Sequence, residues 1–224
     1  VDFATLKPLG RGEFVSSRLF GMRPGGDKLW NADALWEMMT YLTTEGGVGF
    51  LNPGTYDLDY EIERTATVPF KLFGCGRATK LRRGSAYGGQ MLDFTGSNME
   101  IDNFLIDGGA NVYGNSFSHV LRIVDGSHNR VRNMRVENWG LGSGIYVASD
   151  DTPAFTNFDN VVEGCYLDGM NSAGNGILIA RMDDSGMRGC MVYRVRETGG
   201  GGATPCIALQ LKDDNRRCFI ENST

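Results

Sequence analysis

The sequence predicts an all-β solenoid in which parallel strands wind into successive coils. Three observations predict it: short apolar segments return about every thirty residues, each repeat carries Asn or Gly at the same place, and one amphipathic segment precedes the repeats. Leucine-rich repeats would need a leucine framework that is missing here. Helical repeats would need a sustained 3.6-residue period, and no window of the sequence shows one.

Composition limits the kind of protein this can be. The chain has 224 residues, of which 41% are hydrophobic and 22% charged, which is enough for one domain with a sizeable core. Its net charge of -5 and pI near 5.1 argue against binding to nucleic acid or to an anionic membrane. No apolar stretch is long enough for a membrane helix. The five cysteines and two histidines show no metal-ligand spacing, so we expect buried free thiols.

A helix is predicted ahead of the repeats, with Asn31 as its N-cap and Gly46-Gly47 as its end. A strand, a Pro53-Gly54 turn and a second strand follow. We expect the helix to cover the open end of the solenoid, whose core and backbone would otherwise be exposed. Its predicted buried face is Leu35, Met38, Met39 and Leu42. The predicted divisions are a lead-in over 1–30, the capping helix and first coil over 31–90, and further coils over 91–224, cut before the last coil closes.

Five apolar segments begin the repeats, at residues 91, 120, 144, 176 and 206. Each is followed by a second short segment whose third residue is Asn or Gly, the residues that best tolerate a left-handed backbone. A sharp bend is therefore predicted at the same point of every coil. The five bend residues are Asn103, Asn133, Gly164, Gly189 and Asn222.

The residues around each bend predict columns of like side chains. The first and third residues after the bend share one side of a strand and point into the interior. Cys165 above Cys190 is one such column, for which stacked thiols are favoured over a disulfide. The predicted inward residues are Phe104, Met134, Cys165, Cys190 and Ser223, then Ile106, Val136, Leu167 and Val192. Just before the bend, opposite charges alternate and predict a solvated salt-bridge ladder of Arg132, Glu163, Arg188 and Glu221.

Residues ahead of the coils carry a family resemblance. The segments RLFGMRPGGDKLWNADALWEMM, GGVGFLNPGTYDLD and PFKLFGCGRATKLRRGS resemble the N-terminal part of the pectate-lyase-like superfamily. With the coils, the resemblance covers residues 19 to 224 and implies a right-handed parallel β-helix. KLWN at 28–31 departs from the usual aspartate- and threonine-rich loop and suggests a divergent branch such as phage tailspikes and capsule depolymerases. The matching residues are Phe20, Gly21, Gly26, Asp27, Ala34, Leu35, Gly46, Gly47, Pro53, Gly54, Thr55, Tyr56, Gly74 and Gly76.

Aspartate pairs close three of the apolar segments, at 150–151, 183–184 and 213–214. If the coils stack, equivalent residues lie about 4.8 Å apart and the pairs form an acidic column. Exposed turn aspartates would explain the pairs without any function. Glycosidic chemistry is the second interpretation, because carboxylates ~5 Å apart suit a retaining hydrolase and ~9 Å an inverting one. A calcium site as in lyases is the third. The predicted catalytic residues are Asp151, Asp183, Asp184 and Asp213.

Aromatic and basic side chains near these acids are candidate substrate contacts. Tyr146 alternates with the apolar Ile145 and Val147, so it is predicted to point outward, where it can present a flat face to a sugar ring. A half-exposed strand residue without function is the competing explanation for any one aromatic. The predicted substrate-binding residues are Tyr146, Trp139, Arg181 and Lys212, and Tyr166 and Tyr193 are further aromatic candidates.

Together with the resemblance, these observations favour a polysaccharide-binding and polysaccharide-degrading glycoside hydrolase of the phage tailspike type. A protonated acid would donate to the leaving oxygen, and an ionised acid would activate water or attack directly. The resemblance implies a homotrimer in a virion tail and a cell-surface or capsular polysaccharide as partner. We expect no cofactor, no nucleic acid and no membrane insertion. Two alternatives stay open: a secreted bacterial lyase or epimerase, which would need calcium or a basic residue, and a non-catalytic adhesin or structural spike.

Overall fold

The strands wind into a coil with three faces. A computed structural model describes residues 13–86, 89–110, 119–149, 157–169, 174–193, 207–212 and 215–224. The elements are β1 (Phe14–Ser16), α1 (Lys28–Glu45), β2 (Gly47–Phe50), β3 (Gly54–Leu58), β4 (Ile62–Thr65), β5 (Phe70–Arg83), β6 (Leu92–Thr95), β7 (Met99–Asp107), β8 (Leu121–Val124), β9 (Arg130–Arg132), β10 (Arg135–Glu137), β11 (Ser143–Ala148), β12 (Val161–Glu163), β13 (Tyr166–Asp168), β14 (Asn175–Ala180), β15 (Gly186–Arg188), β16 (Met191–Tyr193), β17 (Leu209–Lys212) and β18 (Phe219–Glu221).

Every strand pairs in parallel with the equivalent strand of the next coil, which forms three stacks. Stack A contains β1, β2, the first parts of β5 and β7, β9, β12, β15 and β18. Stack B contains β3, the later parts of β5 and β7, β10, β13 and β16. Stack C contains β4, β6, β8, β11, β14 and β17. Within a coil the chain passes from A to B to C, as in β9, β10 and β11. The chain is therefore a right-handed parallel β-helix, as predicted.

The bends between stacks A and B confirm the prediction made for the repeated Asn or Gly. All five residues adopt the left-handed conformation, with φ of 60° at Asn103, 50° at Asn133, 61° at Gly164, 58° at Gly189 and 46° at Asn222. Backbone amides at these bends donate to the next coil, which keeps the coils in register. Only a few side chains tolerate this backbone, and this is why the position shows so clearly in the sequence.

The core is a continuous column of apolar side chains inside the coils, and the helix covers its N-terminal end. Leu35, Met38, Met39 and Leu42 are fully buried, which confirms the predicted helical face. Of the predicted inward residues, only Val192 and Ser223, in the last two coils, are partly exposed. Cys165 and Cys190 are buried free thiols, and each donates to backbone carbonyls at 3.4 Å, so the stacked thiols are confirmed.

The start of the helix differs from the prediction. The N-cap is Asp27, whose Oδ1 accepts hydrogen bonds from the backbone amides of Leu29 and Trp30 at 3.0 and 3.1 Å. Asn31 lies inside the first turn and is fully buried. Its side chain instead accepts from the backbone N–H of Arg23 at 2.9 Å and donates to the carbonyl of Arg23 at 3.1 Å. Asn31 therefore fixes the loop that precedes the helix, and the predicted N-cap was wrong.

The outer side of stack A carries the predicted charge ladder. Strand pairing places Glu163 between Arg132 and Arg188. The Nε of Arg132 lies 3.4 Å from Oε2 of Glu163, and the Nε of Arg188 lies 3.9 Å from Oε1 of the same carboxylate. All three side chains are well exposed, so solvent screens the pairs and each contributes little to stability.

Candidate functional site

The predicted acidic column is not formed at Asp183. Ala148 and Ala180 are paired on adjacent coils, but the next paired residues are Phe158 and Asp183. Nine residues separate Ala148 from Phe158 along the chain, whereas two separate Ala180 from Asp183. On its other side Asp183 pairs with Arg216. Both neighbours of Asp183 are thus non-acidic, and the prediction of stacked aspartate pairs was wrong at this position.

Asp183 and Asp184 are instead held by one arginine. Arg217 Nη2 lies 2.9 Å from Asp183 Oδ2, and Arg217 Nε lies 2.6 Å from Asp184 Oδ1. These hydrogen bonds lower the pKa of the exposed Asp184 carboxyl, which is the opposite of what a proton donor at neutral pH needs. Asp151 and Asp213 lie outside the described residues. A catalytic role for the four aspartates stays a prediction.

The predicted sugar contact at Trp139 is wrong, because its side chain is fully buried in the core. Its ring packs behind β11, where a Cβ added to Gly144 would lie 3.3 Å from Trp139 Cε3. The sequence places Trp139 just after β10, where an outward or an inward side chain is equally compatible with the pattern. Burial of its large apolar ring decides the orientation.

Three of the four predicted substrate-binding residues belong to stack C or directly follow one of its strands, and Tyr146 lies on the outer side of the stack. We call this surface the C face; its central column is Glu63, Asp93, Arg122, Tyr146, Leu178 and Gln210. Tyr146 is half-buried between the inward Ile145 and Val147, as predicted. Arg181 and Lys212 lie at one edge of the face, where the Arg181 amide donates to the Lys212 carbonyl.

Tyr146 is held in place by a histidine. The rings of His119 and Tyr146 stack with centroids 4.3 Å apart and an interplanar angle of 17°. Nδ1 of His119 accepts a hydrogen bond from the backbone N–H of Ser143 at 2.9 Å, which fixes the imidazole. The pair forms a flat, oriented aromatic surface, and such surfaces suit stacking against the apolar side of a sugar ring.

An acidic group occupies the N-terminal end of the C face. Glu61 and Glu63 flank the buried Ile62, so both lie on the outer side, and Glu63 pairs in register with Asp93. Both oxygens of the buried Asp93 accept from Nη1 of Arg122, at 3.0 and 2.9 Å. Arg122 therefore compensates one charge of the group, while Glu63 remains exposed to water.

Glu61 is the member of this group whose pKa is raised. Burial raises the pKa of its carboxyl, the charges of Asp93 and Glu63 raise it further, and the Gln90 amide and Arg83 act against them. The Gln90 N–H donates to Glu61 Oε1 at 3.2 Å. Gly89 has φ of 94°, a backbone conformation that favours glycine, and a Cβ there would lie 2.5 Å from Glu61 Oε2, so a larger residue would displace the carboxyl. The site thus holds a carboxyl that retains its proton to higher pH beside an exposed carboxylate.

Sequence reasoning missed Glu61, Glu63, Asp93 and Arg122. A signal was present, because Ile62-Glu63-Arg64, Leu92-Asp93-Phe94 and Leu121-Arg122-Ile123 align as strands of one stack. The first of these lies ahead of the clear repeats, in a coil whose length differs from the others. The segment Ile62-Glu63-Arg64 could be aligned with the later two only from the strand pairing in the structure.

Two features of the described residues bear on the predicted cofactor and membrane behaviour. In that part of the chain, no group of three or more His, Cys, Asp or Glu side chains is placed to hold a metal ion. No described helix combines the length and apolar character needed to cross a membrane. A calcium requirement stays a prediction tied to the lyase alternative.

Comparison with known proteins identifies the fold. No family model and no curated protein matches the chain. A solved protein from Parabacteroides merdae, provisionally named a glycosyl hydrolase, aligns with a TM-score of 0.70 and 12% identity, over 95% of this chain and 98% of its own. An iota-carrageenase complexed to iota-carrageenan fragments aligns with a TM-score of 0.66 and 13% identity, over 96% of this chain and 49% of its own. ORF18 of Geobacillus virus E2 aligns with a TM-score of 0.60 and 15% identity, over 94% of this chain and 48% of its own. The chain spans about half the length of the last two, and at these identities the likeness shows a shared β-helix fold.

Proposed function

We propose that the C face binds a polysaccharide and that Glu61 and Glu63 hydrolyse it. The observation that carries the proposal is the pairing of a carboxyl whose pKa is raised with an exposed carboxylate on the same face as an oriented aromatic surface. Pairs of acids whose environments differ in this way perform acid and base steps in glycoside hydrolysis. The fold shared with a carrageenase complexed to its polysaccharide supports the substrate class.

In this mechanism Glu61 donates its proton to the leaving glycosidic oxygen, and Glu63 takes a proton from the attacking water. Glu61 directly precedes β4 and Glu63 is the second residue of that strand, so one residue separates the two acids along the chain. Attack by a water molecule on the face opposite the leaving group, as this mechanism requires, gives a product of inverted anomeric configuration. Asp93 and Arg122 position the group, Tyr146 stacks on a sugar ring, and Arg181 and Lys212 contact polar groups at the edge.

The test is incubation of the protein with a panel of capsular and extracellular polysaccharides, with mass analysis of the products. Glu61→Gln and Glu63→Gln should each reduce release of oligosaccharides at least a hundredfold, in line with the usual contribution of an acid or base. Glu163→Gln, on stack A, is the matched control and should act like the wild type. If Asp184→Asn abolishes cleavage while Glu61→Gln does not, the predicted aspartates are the catalytic ones and this assignment is wrong.

Binding without cleavage is the second candidate, as in an adhesin or structural spike. The observation that favours it is the neutralisation of Asp93 by Arg122 and of Asp183 and Asp184 by Arg217. An adhesin would bind a polysaccharide of the panel and release no fragments, and Tyr146→Ala would weaken that binding. A lyase would lose activity with a chelator and give an unsaturated product that absorbs in the ultraviolet.

We further infer that the chain forms a homotrimer in a virion tail. The fold likeness to a Geobacillus virus E2 protein supports the viral setting. A long β-helix also offers flat outer faces that can pack side by side, and closed symmetric assembly is the usual outcome for identical chains.

A further inference from the structure

We propose a second sugar-binding site on the N-terminal cap, which takes an anionic sugar ring and extends the polysaccharide site beyond the first coil. The proposal rests on the polysaccharide ligand proposed above. A cavity of about 430 Å³ lies at this place, within the ~300–1,000 Å³ range of small-molecule sites. It is lined by Arg23, Gly26, Asp27, Leu29, Trp30 and Asp33. A neighbouring depression of about 360 Å³ shares Arg23 and includes Arg18 and Leu19.

Trp30 supplies a fixed aromatic platform. Its Nε1 donates to the carbonyl of Gly21 at 2.8 Å, and 37% of its surface remains exposed. The other two tryptophans are covered: Trp139 is buried, and the guanidinium of Arg64 lies 3.2 Å above the ring of Trp36. An exposed indole that is already held in one orientation loses little entropy when a sugar ring stacks on it.

Two arginines give the site its charge preference. Neither Arg18 nor Arg23 forms an ion pair with any of the described residues, although both are exposed. Asn31 forms two hydrogen bonds with the backbone of Arg23, so the backbone that carries the guanidinium is fixed in position. A guanidinium fork matches the oxygens of a carboxylate or a sulfate. Arg23 in the cavity of Trp30 and Arg18 in the neighbouring depression therefore favour a sugar that carries such a group.

Asp33 completes the site and connects it to the C face through Tyr60. Asp33 lines the cavity and accepts from the hydroxyl of Tyr60 at 2.6 Å, which leaves its other oxygen for a sugar hydroxyl. Tyr60 directly precedes Glu61, the proposed acid. A polysaccharide bound at Glu61 can therefore continue toward Trp30, and the cap would select chains with an anionic residue at that distance.

The experiment uses the emission of Trp30, the most exposed tryptophan. The protein is titrated with a galacturonic acid trimer, a sulfated carrageenan tetrasaccharide and a neutral galactose trimer, and acrylamide quenching reports access to the indole. At least one anionic sugar should protect Trp30, and the neutral trimer should not. Trp30→Phe should remove the protected signal. By calorimetry, Arg23→Ala should bind that sugar about tenfold more weakly, the loss of one charged hydrogen bond.

Arg77→Ala is the matched control, because Arg77 is also exposed but lines neither the cavity nor the neighbouring depression. It should bind as the wild type does. Equal weakening by Arg23→Ala and Arg77→Ala, equal protection by the neutral trimer, or no protection by either anionic sugar would each overturn the proposal. If Trp30 becomes protected from acrylamide as the protein concentration rises, without any sugar, the cavity binds a second copy of the chain. That result would also overturn the proposal. Release of oligosaccharides from the polysaccharide panel is measured in a separate assay, so a failure of the hydrolase assignment is distinguished from a failure of sugar binding at the cap.

Discussion

At the residue scale, the bends after stack A show how a single backbone requirement selects amino acids. The left-handed conformation costs an ordinary residue about 1–2 kcal/mol, and this free-energy cost is smaller for Gly and Asn. The five bend positions are filled by these two residues alone. This requirement is local, so it could be read from the sequence without any knowledge of neighbouring coils.

Gly164 gives a direct test of that requirement. It has φ of 61°, and a Cβ there would lie 3.0 Å from Oδ1 of Asn133 on the adjacent coil. Gly164→Ala should lower the free energy of unfolding by about 1–2 kcal/mol. Gly164→Asn should cost less, because asparagine tolerates this backbone. Urea unfolding followed by circular dichroism measures both, and equal losses would show that the conformation is not the cause.

Glu61 should make stability depend on pH. Burial raises the pKa of its carboxyl above the ordinary value of 4.5, so the folded state binds this proton more tightly than the unfolded state does. Its stabilising contribution is complete below pH 4.5 and is lost as the pH rises through the folded-state pKa. Glu61→Gln should therefore gain stability relative to the wild type between pH 4 and pH 7. Urea unfolding of both proteins at pH 4 and pH 7 checks this. If the difference in stability between Glu61→Gln and the wild type is the same at both pH values, the raised pKa is contradicted.

At the scale of elements, the sequence predicted the strands and the helix better than the turns that connect them. Strand segments repeat their apolar pattern because every coil adds to one core. The number of residues between paired positions of stacks C and A differs from coil to coil, so Asp183 pairs with Phe158 and Arg216 and not with aspartates. The acidic group of the C face was missed for another reason, since its members lie about thirty positions apart in the chain.

The first turn of the helix provides the test at this scale. Asp27→Ala removes the side chain that accepts from the amides of Leu29 and Trp30. The protein should lose about 1 kcal/mol of stability, the usual value of an N-cap. Asp27→Asn should lose less, and Glu37→Ala, at an exposed position further along the helix, serves as the control. Thermal unfolding measures the losses; a loss for Glu37→Ala as large as that for Asp27→Ala would mean that capping is not responsible.

At the scale of the whole molecule, one core runs from the helix to the last buried cysteine, so the coils should unfold together rather than one by one. Each coil contacts its neighbours through three stacks at once. The outer faces differ in character: stack A carries alternating charges, and the C face carries the aromatic and acidic residues.

The homotrimer proposal is tested at this scale. Sedimentation equilibrium on the full chain should give a mass three times the 24.5 kDa of one copy. The mass should stay constant as the protein is diluted to micromolar concentration. A single-copy mass over that range would contradict the trimer, and it would leave the proposed sugar sites, which each lie on one chain, unaffected.

The pairing of Arg132 directly beside Glu163 means that the chain returns to the same place after each circuit. Inserting or excising the residues between two such equivalent points would rejoin the backbone without disturbing the circuits above and below. Evolution can therefore lengthen the molecule by duplicating the segment that encodes one coil. The reach of the surface offered to a long polymer is then adjustable in uniform steps, while the cap keeps its own shape.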